Sequence, residues 1–327
     1  MIRVALAGAG FMGTVHAERW ASLPGVRVVG VFSRSPEHAR ALAERVGAEA
    51  CTEVDALLDL PADVVDVAVP THRHAAIALR AFTAGRHVVC EKPLALSLEE
   101  AEQMTRAATA AGKLLLVAHV LRFWPEYAEL RRLVRSGAIG QPTSALAQRL
   151  QEGPTETADA AARRAINGGP VVDLQIHDDD LLLSLFGPAL RVTVVGSERH
   201  VFTTLRFTGA VALAEAASDL PAGFPFTSLL RVVGDGGMLQ YMFQSGGRRP
   251  DEGSAGGSGL VLWRPGHGPE AVPVEPRDPY TEEITHFAEC VRMGQPSALV
   301  SPAHAVDALR IALAARQALD SGQPVAP

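Results

Sequence analysis

Residues 2–13, Ile2-Arg3-Val4-Ala5-Leu6-Ala7-Gly8-Ala9-Gly10-Phe11-Met12-Gly13, decide the fold. Arg3 to Ala7 read as a buried strand that runs directly into a Gly-x-Gly-x-x-Gly loop opening a helix. In such a unit Gly8 permits the tight turn, Gly10 the close approach of a pyrophosphate, and Gly13 the contact of helix with strand. Phe11 and Met12 lie between them at the helix start, where exposed N–H groups and the helix dipole attract phosphate. The motif alone is weak; its place between a strand and a helix gives it weight.

Working outward, the rhythm continues. Val26 to Phe32, Val64 to Val69, His87 to Cys90 and Leu114 to Ala118 are short apolar runs of the kind buried on both faces of a parallel sheet. The helices between them have readable ends. Ser35 caps one that starts at Pro36, carries Ala39, Leu42, Ala43 and Val46 inward, and stops at Gly47. Ser97 and Glu100 form a capping box, and Gly112 closes that helix. Repeated β-α-β order predicts an α/β fold, a doubly wound parallel sheet over residues 1–120.

Beyond residue 120 the rhythm changes. Pro125 to Ser136 and Val171 to Phe186 read as helices, and 189–243 hold strand-like runs, among them Val192 to Val195, Val201 to Phe207 and Leu229 to Val233. Segregated helices and strands predict an α+β second domain, 121–327, with a mainly antiparallel open sheet. Residues 245–259 are rich in glycine and serine and read as a mobile loop. Thr281 to Met293 and Pro302 to Ser321 read as two final helices.

Composition narrows the class. The chain has 327 residues, 47% hydrophobic and 20% charged, enough for two domains with a substantial core. A formal charge of -6 gives no general attraction to nucleic acid or an anionic membrane. No apolar run approaches the ~20 residues of a membrane helix. Three scattered cysteines form no Cys-x-x-Cys pair, so neither a disulfide scaffold nor a clustered metal site is expected. A cytoplasmic protein with a small-molecule partner is the expectation.

The cofactor has its own signal. An acidic residue about 20 positions after the glycine loop normally accepts the ribose hydroxyls of NAD. Here the second strand ends Val31-Phe32-Ser33-Arg34-Ser35, with hydroxyls and a guanidinium suited to a 2′-phosphate. NADP is therefore favoured over NAD.

Two clusters carry chemistry. Cys90-Glu91-Lys92-Pro93 ends a strand, where open α/β sheets bind ligands. Of 30 Lys and Arg residues only Lys92 and Lys113 are lysine, so a proton-exchanging cation stands at a place where this chain elsewhere uses arginine. The second cluster is Gly168-Gly169-Pro170-Val171-Val172-Asp173-Leu174-Gln175-Ile176-His177-Asp178. Asp173 and His177, four apart, share one face of a helix, with Asp180 and Ser184 continuing the stripe. A carboxylate beside an imidazole suits proton transfer. A solvated acidic face with a stray histidine explains the same letters equally well.

The glycine loop, Pro70-Thr71 with His74, Glu91-Lys92-Pro93, Arg122-Phe123, and Gly168-Gly169 with Asp173 and His177 occur in one order along nearly the whole chain. Together they resemble the Gfo/Idh/MocA family, the glucose–fructose oxidoreductase and inositol dehydrogenase group. The resemblance implies an NAD(P)-dependent oxidoreductase acting on a sugar, polyol or related hydroxy compound. It implies His177 as acid/base, Lys92 polarising the reacting oxygen and bridging to the nicotinamide ribose, and Asp173 orienting substrate or assisting His177. Glu91, Thr71 and His74 would line the nicotinamide end. It also implies a homodimer or homotetramer built through the second-domain sheet. Thr71, where many members have asparagine, and Pro170, in place of a third glycine, bear on substrate fit.

Arg122, Trp124, Asn167 and Tyr280 are further substrate-site candidates, as are Arg163 and Arg164; Arg122 is also a cofactor candidate. Two other functions fit a dinucleotide fold: a redox-neutral glycosidase or lyase that uses NAD transiently, and a non-enzymatic dinucleotide-binding regulator.

Overall fold

A computed structural model describes residues 1–153, 167–246 and 258–327. The chain forms two compact units, residues 1–123 with 277–306, and residues 124–276 with 307–327.

The first unit holds a parallel sheet of six strands in the order β3-β2-β1-β4-β5-β6. These are β1 (Ile2–Ala7), β2 (Val26–Phe32), β3 (Glu49–Cys51), β4 (Val64–Val67), β5 (His87–Glu91) and β6 (Leu115–Ala118). The sequence reading passes over β3, whose three residues give no apolar run; Gly30 to Phe32 of β2 recruit it by register alone. Between the strands run α1 (Phe11–Ser22), α2 (Pro36–Val46), α3 (Val54–Asp59), α4 (His74–Thr83) and α5 (Leu98–Ala111). Ser35 Oγ accepts the His38 N–H at 3.2 Å and Gly47 is left-handed. Ser97 Oγ accepts the Glu100 N–H at 3.2 Å and Gly112 is left-handed too.

The second domain does not run unbroken from residue 121 as the sequence predicts. Residues 277–306 belong to the first unit. Ile284, Phe287, Ala288 and Cys290 join the cluster of Leu6, Trp20, Val28, Leu116 and Phe123. The rings of Phe123 and Phe287 meet edge to face, 5.8 Å between centroids. The helix that supplies these residues is amphipathic, and its apolar face completes this core.

The second unit is an eight-stranded sheet in the order β14-β13-β12-β11-β7-β10-β9-β8. All its neighbours are antiparallel except β7 (Pro142–Glu152) and β10 (Ala210–Leu220), which run parallel. The outer strands are β8 (Arg191–Gly196) and β9 (His200–Phe207) on one side. On the other are β11 (Thr227–Gly234), β12 (Gly237–Gln244), β13 (Gly259–Trp263) and β14 (Glu270–Val272). The central strand β7 was not legible: its inward residues are Ala145, Ala147 and the buried Arg149, not branched apolar ones.

Helix α6 (Pro125–Arg135) belongs to this unit; α7 (Gly169–Asp173) and α8 (Ile176–Phe186) follow. The single helix expected over 171–186 is broken at Leu174 and Gln175. The Gln175 side chain is fully buried, donating to Asp179 Oδ1 at 3.1 Å and accepting from Thr203 of β9 at 2.7 Å. Its N–H reaches back five residues, to the Pro170 carbonyl, at 2.8 Å. Chain order ends with α9 (Pro279–Met293) and α10 (Pro302–Ser321). No helix among the described residues is long and apolar enough to cross a membrane.

Candidate active site

The carboxyl ends of β1, β2 and β4 open onto a groove of about 390 Å³ in the first unit. Gly8, Gly10, Ser33, Arg34 and Pro70, all predicted to hold the cofactor, line it. Gly8 sits at φ +128, and a Cβ there would stand 2.3 Å from the Ala68 carbonyl oxygen. Gly13 lies under the loop instead, where a Cβ would meet the Gly8 carbonyl oxygen at 2.2 Å. At Gly10 a Cβ would meet nothing within 4 Å: it would project into open space at the mouth of α1. No side chain caps α1, and its first turn holds no acid, so its leading N–H groups face the groove's end without a built-in anion. Such a cradle fits the pyrophosphate of a dinucleotide.

At the groove's far end Arg34 is exposed and Ser33 Oγ accepts the Ser35 N–H at 3.2 Å. Two residues escaped the sequence reading. His38, in the first turn of α2, and Arg73, in the 3-10 turn Thr71–Arg73, line the same groove. The Arg73 guanidinium lies 5.8 Å from the centroid of the Phe32 ring, a cation–π contact that holds it over the end of β2. Its signal was its spacing, three residues after Pro70 on the loop that follows β4.

Phe11 is exposed and Met12 half-buried at the start of α1. Thr71 and His74 do not line the groove. Thr71 is buried, and His74 is buried with its Nδ1 3.0 Å from the Pro93 carbonyl and its Nε2 2.8 Å from that of Val69. Burial pushes the His74 imidazole below the usual histidine range. The ring is a strut between two loops.

Glu91 ends β5 as a buried residue and Lys92 follows half-buried, joined to Pro93 by a cis peptide bond. Glu91 Oε2 accepts the Lys92 main-chain N–H at 3.0 Å. Burial raises the Glu91 carboxyl, but His16 and then Lys92 outweigh it and hold the group below the usual carboxylate range. Arg122 is buried in the turn after β6, and Tyr280 is buried on α9.

In the second unit Asp173 closes α7 and His177 is the second residue of α8, so the break at Leu174–Gln175 separates them. The acidic run that follows is not solvated: Asp178, Asp179 and Asp180 are all buried. Asp178 takes a bidentate pair from Arg149, 3.0 Å from Nε and 2.9 Å from Nη2, which fixes the first turn of α8 to β7. Burial pushes the Asp179 carboxyl well above its usual range.

Trp124 sits in an aromatic cluster of the same unit, donating to Tyr241 Oη at 3.0 Å and meeting Phe243 at 5.5 Å. It is half-buried there. Asn167 is half-buried. Arg163, Arg164 and residues 247–257 of the glycine-rich stretch lie outside the described residues.

Comparison with known proteins agrees with this geometry. Residues 2–119 match the oxidoreductase family model with an NAD-binding Rossmann fold, and residues 127–240 the Gfo/Idh/MocA C-terminal domain. The chain is 28% identical to scyllo-inositol 2-dehydrogenase (NAD(+)) of Bacillus subtilis, over 99% of this chain and 96% of that one. It is 29% identical to an inositol 2-dehydrogenase of Saccharopolyspora erythraea over 90% of this chain and 86% of the other. A solved UDP-N-acetylglucosamine 3-dehydrogenase of Acidithiobacillus ferrooxidans superposes with a TM-score of 0.81 at 25% identity, covering 98% of each chain. With both halves matched in order by one family, the chain belongs to the Gfo/Idh/MocA oxidoreductases.

Proposed function

We propose that this enzyme moves hydride between a nicotinamide dinucleotide, NADP in preference to NAD, and a secondary hydroxyl or carbonyl carbon of a sugar, polyol or similar small molecule. One observation carries the reading: Lys92 directly follows β5, at the same carboxyl edge of the parallel sheet on which the glycine loop opens. The bound dinucleotide supplies the carbon that accepts or gives up the hydride.

The remaining work falls to the chain. A free alcohol is a weak acid, so losing its proton with the hydride calls for a base and a positive neighbour. In this reading His177 takes the hydroxyl proton, the Lys92 ammonium stabilises the charge developing on the oxygen, and Asp173 orients substrate or His177. The inositol dehydrogenases among the relatives support a polyol substrate. Ser33 and Arg34, now with His38 and Arg73 in the same groove, support NADP: two guanidiniums suit a 2′-phosphate better than a diol. Met12, Phe11 and Pro70 shape the dinucleotide path, and Arg122 and Tyr280 remain substrate-site candidates.

Val195, Phe202, Val211 and Leu213 are exposed on one face of β8, β9 and β10, which supports association of copies through that sheet. Three free, buried cysteines suit a reducing, cytoplasmic setting.

The test is absorbance at 340 nm with NAD or NADP and a panel of inositols, sugars and sugar acids. Reduction of NADP by one polyol class is expected. NAD-only reduction keeps the chemistry and rejects the Arg34–Arg73 reading. Substrate turnover with no net dinucleotide change points instead to the redox-neutral lyase or glycosidase. Sedimentation velocity checks the oligomer: a monomer at micromolar concentration rejects the sheet interface.

A further inference from the structure

Beneath the glycine loop lies charge that the proposed reaction leaves unused. His16, on α1, is fully buried. Its Nδ1 lies 3.1 and 3.0 Å from the two oxygens of Asp66, and its Nε2 lies 3.2 Å from Glu91 Oε1. Asp66 and Glu91 are buried as well, on β4 and at the end of β5. The Trp20 indole N–H, one turn further along α1, also donates to Asp66, at 2.6 Å. From α9 the buried Glu283 acts on the same cluster, and neither of its oxygens has a hydrogen-bond partner among the described residues.

A neutral imidazole has one N–H and cannot face a carboxylate with a proton at both nitrogens. His16 stands between two carboxylates, hydrogen-bonded to Asp66 through Nδ1 and at ion-pair distance from Glu91 through Nε2 without hydrogen-bond alignment, an arrangement that favours the imidazolium. Burial opposes the charge, but Asp66 first and Glu91 after it outweigh burial and hold the ring well above the usual histidine range. Burial first, and then the charges of Glu91 and Asp66, push the Glu283 carboxyl well above its usual range, which favours its neutral form. The remaining neighbours of Glu91 are Lys92 and the His74 strut.

Glu91 has two oxygens and uses them in opposite directions. Oε1 faces the His16 ring; Oε2 accepts the Lys92 N–H. We propose that His16 is a positioning residue for Lys92, acting through Glu91: the buried ring fixes the carboxylate that in turn fixes the main chain of the lysine. The inference rests on the role given to Lys92 above and adds to it a support that starts in the cofactor helix itself. A shift of α1 as it takes up phosphate would thus be felt at the lysine through one ion pair and one hydrogen bond.

The lysine content makes the test clean, since Lys92 and Lys113 are the only two in the chain. Protein labelled with 15N-lysine gives two backbone amide resonances, assigned with Lys113→Arg. In His16→Gln the Lys92 resonance shifts while that of Lys113 stays. In Glu91→Gln Lys92 shifts also, and the double variant matches Glu91→Gln, because His16 acts only through that carboxylate. A Lys92 resonance unmoved in His16→Gln, or one displaced in the double variant beyond Glu91→Gln, overturns the proposal. Should His16→Gln not fold, with the Lys113 resonance lost too, His16→Gln/Asp66→Asn removes the stranded charge and carries the same expectations.

With any active substrate pair, kcat of His16→Gln falls about 100-fold at a dinucleotide KM close to wild type. A loss confined to KM means damage to α1 and overturns the link. The resonances need no substrate, so an absent dehydrogenase activity with the expected shifts breaks the functional reading and leaves the His16 link standing.

Discussion

Both units put a buried carboxylate next in sequence to a residue proposed to react, and each pairs that carboxylate with a buried base. In the first, Glu91 precedes Lys92 and faces His16. In the second, Asp178 follows His177 and is gripped by Arg149, 5% exposed at its side chain. The logic is shared: a side chain is aimed by anchoring its chain neighbour. The bases differ. A guanidinium stays charged at any pH the fold survives, whereas an imidazolium is a charge that alkali removes. The anchor of the second unit is thus permanent and that of the first conditional.

The strongest way to break this comparison is to remove the permanent anchor. Arg149→Met strands Asp178 in the interior and is expected to lower unfolding free energy by about 3–5 kcal/mol. Adding Asp178→Asn should return much of the loss in urea titrations. A single-variant cost below about 1 kcal/mol would mean the pair anchors nothing. Next come the aimed residues themselves. Lys92→Ala and His177→Ala should each lower kcat by about 100-fold or more, without a matching loss of stability. A near-normal rate in either would falsify its assignment.

The conditional anchor is read from stability against pH. The folded pKa of His16 lies above its unfolded value of about 6.5, so its stabilisation is complete below that pH. It is lost as pH rises through the folded value, at up to about 1.4 kcal/mol per pH unit. Glu283 has the opposite chemistry but the same sign. Its folded pKa is raised, so the unfolded chain ionises first, near about pH 4.3, and stability falls as pH rises above that. Glu283→Gln should stabilise the protein at neutral pH and flatten the curve from about pH 4.3 to 6.5, leaving the alkaline fall to His16. If the alkaline fall disappears with Glu283, the imidazolium is not its source. The smallest expected effect belongs to local structure: Ser35→Ala, removing the cap of α2 beside the groove, should cost about 1 kcal/mol.

Local signals account for what the letters told and for what they hid. Caps such as Ser35 and Ser97 and stops such as Gly47 and Gly112 act within four residues, so they read correctly from the chain alone. The six-stranded sheet followed from apolar runs, apart from β3, which had none. The second domain was legible as a class but not in its centre, because β7 presents alanine and a buried arginine where pattern reading seeks valine and isoleucine. The acidic run 178–180 looked solvated for the same reason: the arginine that neutralises Asp178 lies 29 residues earlier. His16 was hidden likewise, since Asp66 is 50 residues away. Its one local clue was position, three residues after Gly13 and four before Trp20, on the inward face of α1.

The return of residues 277–306 to the first unit bears on how the chain is made. A ribosome that has finished residue 123 has made every strand of the parallel sheet but not the helix carrying Glu283, Ile284 and Phe287. At about 5–20 residues per second, that helix arrives roughly 10–40 seconds later. Through that interval the flank of Trp20 and Phe123 has no cover of its own. The nascent sheet is therefore a natural client for a holdase, and a messenger truncated after the sheet would yield an aggregating fragment, not a small dinucleotide-binding protein.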